Sequence, residues 1–412
     1  MNFWTRTTLA TGLLTLGATV AAAGCGLESG SVRILGNDFG AIHAVADRAG
    51  ECGGDGVTVE SNLTAEHRDI QVAALTADPA QYTVAIVANS SIVPLLNADL
   101  VRPLDDLVEK YGQSLNPRQL IKVGGKTVAV AFMANAQHLF YRKDILDANG
   151  IAVPTTYEEV IAAGKALQDS GAMPYPYAAN TQVGWNLGEE FVNMYMGYGG
   201  EFFAPGSAEP AINNEKGIAT LETLKALTEL SNPDYLTFDS NASGSLWESG
   251  NLALATLWGS RGGSILDDEG STEEVVSGTV LAGAPTVGGG SVAATTLWWD
   301  GFVIAKNVSE ADAEASFVSM VHAIDPALLD AHNDDAVWLI DGYEPTAAAE
   351  GVAQSAQAGA RPYPMVPYMG LLHAALGDEL SDYLQGSESA EQALADVEAA
   401  YISAAREQGF LN

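Results

Sequence analysis

The chain has 412 residues, which at about 150 residues per domain points to two or three domains. Hydrophobic residues at 47% and charged residues at 17% exclude wholesale disorder. The formal net charge is −34, and residues 262–412 hold only Lys306, Arg361 and Arg406 against 24 acids, so phosphate backbones and anionic lipid are repelled and nucleic-acid binding is excluded.

Arg6, the apolar stretch Leu9 to Val20 and Ala21-Ala22-Ala23 read as a secretory signal peptide over 1–23, too short and too weakly apolar to span a membrane. The remainder has no run of about 20 apolar residues and reads as soluble and exported, in a periplasmic space. Cys25 and Cys52 are an even pair and suit a disulfide in such a compartment. Ala22-Ala23-Gly24-Cys25 also loosely matches a lipobox, so a lipid anchor at Cys25 is the alternative.

Val32 to Leu35 predicts a first strand, Ala41 to Ala49 a helix, Val57 to Glu60 a strand, Ala65 to Ala77 a helix and Tyr82 to Val87 a third strand. This alternation predicts a parallel sheet with helices on both faces, whose ligand loops lie at the carboxyl ends of the strands. Those loops are Asn37 to Gly40, Asn62 to His67 and Ala88 to Ser91. Thr127 to Phe132 and Gln137 to Tyr141 read as two strands nearly end to end. Thr155 and Glu158 have capping-box spacing before a helix carrying Val160, Ala163 and Leu167. Further helices are predicted over 184–197, 215–230 and 242–250, with strands over 252–258, 278–284 and 303–306. Ser309 and Asp312 cap a helix to about His322, and 371–384 and 392–406 close the chain as helices.

Familiar catalytic signals are missing. The six histidines form no tight ligand cluster, no Gly-x-Ser-x-Gly elbow occurs, and no Gly-x-Gly-x-x-Gly follows the first strand. No cofactor and no metal are expected, and Asp334-Asp335 and Asp267 to Glu269 read as solvated acidic faces.

Several segments together resemble the extracellular solute-binding proteins of ABC importers, in the sugar-binding family that includes maltose-binding protein. They are Asn135 to Leu146, Pro154-Thr155-Thr156-Tyr157-Glu158-Glu159, Trp247 to Gly259, Trp299 to Asn307 and Leu384 to Leu394, in family order across 31–410. Asp144 after Arg142-Lys143 departs from the Asn-Lys that the family often shows. The resemblance implies an α/β fold of two lobes, each a mostly parallel sheet flanked by helices, joined by a hinge. The first lobe would comprise 31–133 plus 300–335, and the second 134–299 plus 336–412. It implies a monomeric binding protein, not an enzyme, that captures a small carbohydrate or polyol between the lobes and delivers it to the importer's membrane subunits. A secreted glycoside hydrolase and a ligand-binding module feeding a sensor are the alternatives.

A sugar offers apolar C–H faces to aromatic rings and hydroxyls to Asp, Asn, Gln and Arg. The candidate ligand residues are therefore Asp38, Phe39, His67, Asn89 and Ser90 from the first-lobe loops. Asn135 and Gln137 come from the crossing, and Trp185, Trp258, Arg261, Trp299, Asp300 and Arg361 from the rest of the chain. Neighbours on a strand point to opposite faces, so at most one of Trp298 and Trp299 faces a ligand.

Overall fold

A computed structural model describes residues 25–412 except Asp55 and Asp268; the signal peptide expected over 1–23 lies outside the described residues. The chain opens as the alternation requires: β1 (Gly30–Gly36), α1 (Gly40–Gly50), β2 (Val57–Leu63), α2 (His67–Thr76) and β3 (Val84–Ala88). β1 pairs in parallel with β2 and with β3. Then follow β4 (Leu120–Val123), β5 (Lys126–Asn135), β6 (Gln137–Arg142), β7 (Tyr177–Ala178), β8 (Leu254–Trp258), β9 (Thr279–Ala282), β10 (Thr296–Ile304), β11 (Val337–Trp338) and β12 (Arg361–Pro362).

Two sheets result. The first has the order β11-β5-β10-β3-β1-β2, with β4 on β5 and β12 on β10; the second is β7-β8-β6-β9. Period-two burial organises the first sheet. Ile34, Val84 and Ile86 face one core with Phe302 and Phe317, and Ala85 and Val87 face a second core with Val303 on the other side. The second sheet packs into a separate core with Leu139, Phe191, Leu254, Leu372 and Tyr401.

Two expectations need correction. The sheets are mixed rather than mostly parallel: parallel pairing holds for the opening units and for the two-residue strands β7 and β12, which pair with β8 and β10, whereas β10 runs antiparallel to β3 and β5, β5 to β4 and β11, and β6 to β8 and β9. The reason is topological, because the chain passes from one sheet straight into the other through β5 and β6 and returns along β10, without a crossover helix. β11 pairs with β5, and Trp338 and Ile340 join the first core. The helix start near Pro154 is capped one residue later than expected, by Thr156, whose hydroxyl accepts from the Glu159 backbone N–H.

Cys25 and Cys52 are disulfide-bonded, tying the segment before β1 to the end of α1.

Candidate functional site: a tryptophan-floored cleft between the two sheets

The carboxyl ends of β1, β2 and β3 open toward the second sheet. A cavity of about 430 Å³ lies there, lined from the first unit by Asp38, Phe39, Arg68 and Asp69. The second unit supplies Gln182, Trp185, Asp239, Trp258, Ser260 and Arg261. The connecting strands supply Asn135, Trp298 and Asp300. Of the expected residues, Asp38, Phe39, Asn135, Trp185, Trp258, Arg261 and Asp300 meet here.

Three indoles form the floor. Trp185 and Trp258 stack with centroids 6.2 Å apart, and Trp298 meets both edge-on at 5.6 and 5.7 Å. Each is placed by a different element: Trp185 by the first turn of the helix Trp185–Gly197, Trp258 by the end of β8, and Trp298 by β10. Glu189 holds Trp298 from below, its Oε1 accepting from the indole Nε1 at 3.1 Å and from the Thr296 hydroxyl at 2.6 Å. His373 holds Trp185, with Nε2 2.8 Å from the Trp185 carbonyl and its ring stacked at 4.9 Å on the indole.

Two guanidiniums reach across the cleft. Arg68, in the first turn of α2, lies 4.0 Å over the Trp185 ring, and Arg261, after β8, lies 5.6 Å over Phe39. Among the described residues neither buried Nε has a hydrogen-bond partner, and Arg261 donates through Nη2 to the Ser240 hydroxyl at 3.0 Å. Asp300 stands beside Arg68, yet burial still pushes its carboxyl up to about 7. Burial also pushes Glu189 and Glu190 up to about 8. The cleft thus offers aromatic faces together with donors and acceptors in several charge states, a combination that grips a polyhydroxylated ring or chain.

The other expected residues are placed elsewhere. Trp299 turns away to pack beside the second core of the first sheet; its neighbour Trp298 shares a face with Asp300, as period two requires. Gln137 is buried and accepts from the Asn193 side chain at 3.1 Å. Asn89 braces β10, donating to the Leu297 carbonyl and accepting from the Trp299 backbone N–H at 2.9 Å. His67 is buried in the stripe of α2 with Gln71, Ala74 and Leu75, where burial pulls its pKa down to about 3. Ser90 lines a neighbouring cavity, and Arg361 pairs with Glu201 at 3.0 Å.

Arg68, Asp69 and Asp239 are cleft residues that sequence reasoning missed, and of the pair Trp298 and Trp299 it is Trp298 that lines the cleft. A signal for Arg68 existed. With His67, Gln71, Ala74 and Leu75 marking the buried face of α2, residue 68 falls one hundred degrees around the helix, beside that face.

Residues 36–324 match the model of the bacterial extracellular solute-binding protein family, and the chain belongs to that family. A probable ABC transporter-binding protein of Deinococcus radiodurans is 28% identical over 200 residues; the match covers 46% of this chain and 46% of that relative. The chain therefore aligns with about half the length of that relative. Three solved structures share the two-lobed fold. An ABC-transporter solute-binding protein of Agrobacterium radiobacter K84, in complex with ribitol, is 20% identical with a TM-score of 0.78, covering 92% of this chain and 99% of that one. The maltose-bound MalE3 of T. maritima is 17% identical with a TM-score of 0.79, covering 91% and 100%. A solute-binding protein of Agrobacterium vitis S4 with bound D-mannitol is 17% identical with a TM-score of 0.75, covering 92% and 99%.

Proposed function

We propose that this solute-binding protein captures a small carbohydrate or polyol in the cleft and delivers it to the membrane subunits of an ABC importer. The observation that carries the reading is the union of Trp185, Trp258 and Trp298 with Arg68, Arg261, Asn135 and Asp300 around one cavity of about 430 Å³, a volume in the range of small-molecule sites. Ribitol, mannitol and maltose in structures of the same fold support the same ligand class. The name of the Deinococcus radiodurans relative supports the importer.

In this reading the lobes are 31–133 with 300 to about 340, and 134–299 with the remainder. Bending at Asn135–Gln137 and along β10 closes them, and the closed form is the one the importer recognises. The protein is exported by residues 1–23, acts as a monomer, and breaks no bond in its ligand. The disulfide, rather than a lipid at Cys25, occupies that sulfur.

A thermal-shift screen of residues 24–412 against ribitol, mannitol, maltose, uronates, amino acids and peptides tests this. A ligand at 100 times its dissociation constant adds about 2.7 kcal/mol of apparent stability. The reading requires such a shift from a sugar or polyol. Shifts from amino acids or peptides alone would overturn it.

A further inference from the structure

A second cavity, of about 740 Å³, adjoins the first, and Arg68, Asp69 and Trp185 line both. It lies between the helices His67–Thr76 and Ile92–Asn97 of the first unit and the loop and helix start around 363–371 of the second. Its two regions differ in chemistry. On its polar side, Ser90 Oγ, Gln71 Oε1 and Arg68 Nε are buried without partners among the described residues. Much of the remaining wall is apolar: Val72, Val93, Pro94, Val366, Pro367 and Leu371. Asn97, on the same wall, gives one amide N–H to the Pro367 carbonyl at 3.2 Å.

A second sugar ring laid against that apolar wall would face hydroxyls to it without partners, at a cost of about 1–3 kcal/mol each, because the further polar groups Asp378 and Gln408 are solvent-exposed. An apolar group gains there instead. We infer that the ligand is an amphiphilic glycoside, whose sugar lies on the tryptophan floor while an aryl or short alkyl aglycone passes Trp185 into the 740 Å³ cavity. The unpartnered Ser90, Gln71 and Arg68 atoms suit the glycosidic oxygen and the last hydroxyls before the apolar wall. The inference rests on the carbohydrate reading above and names the ligand class within it.

The test compares methyl and phenyl glycosides of glucose, galactose, mannose and xylose by titration calorimetry, with ribitol, mannitol and maltose alongside. For at least one sugar the phenyl glycoside should bind about tenfold more tightly than its methyl counterpart, the gain from burying most of one ring. That phenyl-to-methyl ratio should fall toward one in Val366→Asp. Leu371→Gln provides a second, independent reading of the same ratio should Val366→Asp fail to fold. Binding of methyl glycosides, sugars or polyols with no phenyl gain, or a gain untouched by the variants, overturns the inference and leaves the carbohydrate reading standing. No binding of any glycoside, sugar or polyol overturns both.

Discussion

Glu189 supports the cleft at a cost. It anchors Trp298 and Thr296 through one oxygen, while its other oxygen is buried without a partner. Burial lifts it and Glu190 to about 8 and Asp300 to about 7, so the folded protein holds protons there that the unfolded chain has released. Stability from these groups is complete below the ordinary carboxylate range and is lost as pH rises to about 8. His67, His138 and His373 act in the opposite sense. Burial pulls them to about 3, 4 and 4, so the unfolded chain gains protons below 6.5 that the fold refuses. The two sets largely cancel between pH 4.5 and 6.5, and above 6.5 the carboxyls act alone. The unfolding midpoint should therefore fall from pH 6.5 to 8, and Glu189→Gln should flatten that fall; a midpoint that rises over this range would contradict the assignment. Asp300 is also the residue that settles the face of β10. Strand alternation puts Trp298, not Trp299, on the face that Asp300 shares.

At the level of elements, the floor depends on one close helix contact. A Cβ at Gly188 would stand 2.7 Å from both the His373 carbonyl oxygen and its Cδ2. The helices Trp185–Gly197 and Met369–Glu379 can approach this closely only with glycine there. Gly188→Ala should cost about 1–3 kcal/mol by overpacking, more than the gain of about 1 kcal/mol in helix propensity. A lower urea midpoint would show it, and an unchanged or raised midpoint would refute the contact. Cys52→Ser opens a loop with a sequence separation of 27, and should cost about 3–4 kcal/mol in the chain-entropy picture, read as a lower denaturation midpoint matched by reduction of the parent. The elements themselves were legible where pattern was strong. β1 to β3, the Ser309-capped helix and the final helix Ala390–Glu407 fall within a few residues of expectation. What stayed hidden was non-local. β11 and β12 are two residues each and exist only through pairing with β5 and β10, and Arg68 gains meaning only because Trp185 arrives from another unit.

For the whole molecule, two separately packed units face each other across ligand-competent side chains, and two arginine–aromatic contacts span the gap. A net charge of −34 makes the fold repel itself, so the unfolding midpoint should rise between low salt and about 1 M NaCl as screening shortens the Debye length to about 3 Å. A falling midpoint would mean that specific ion pairs outweigh repulsion. The central claim is stoichiometric capture of a sugar or polyol in the cleft. Titration calorimetry of residues 24–412 with the best ligand of the thermal-shift screen, followed by mass analysis of the recovered ligand, tests it most directly. The account predicts saturable one-to-one binding, an unaltered ligand, and at least a tenfold loss of affinity in Trp185→Ala, which removes one aromatic face. Conversion of the ligand into product, or binding indifferent to Trp185, would contradict it.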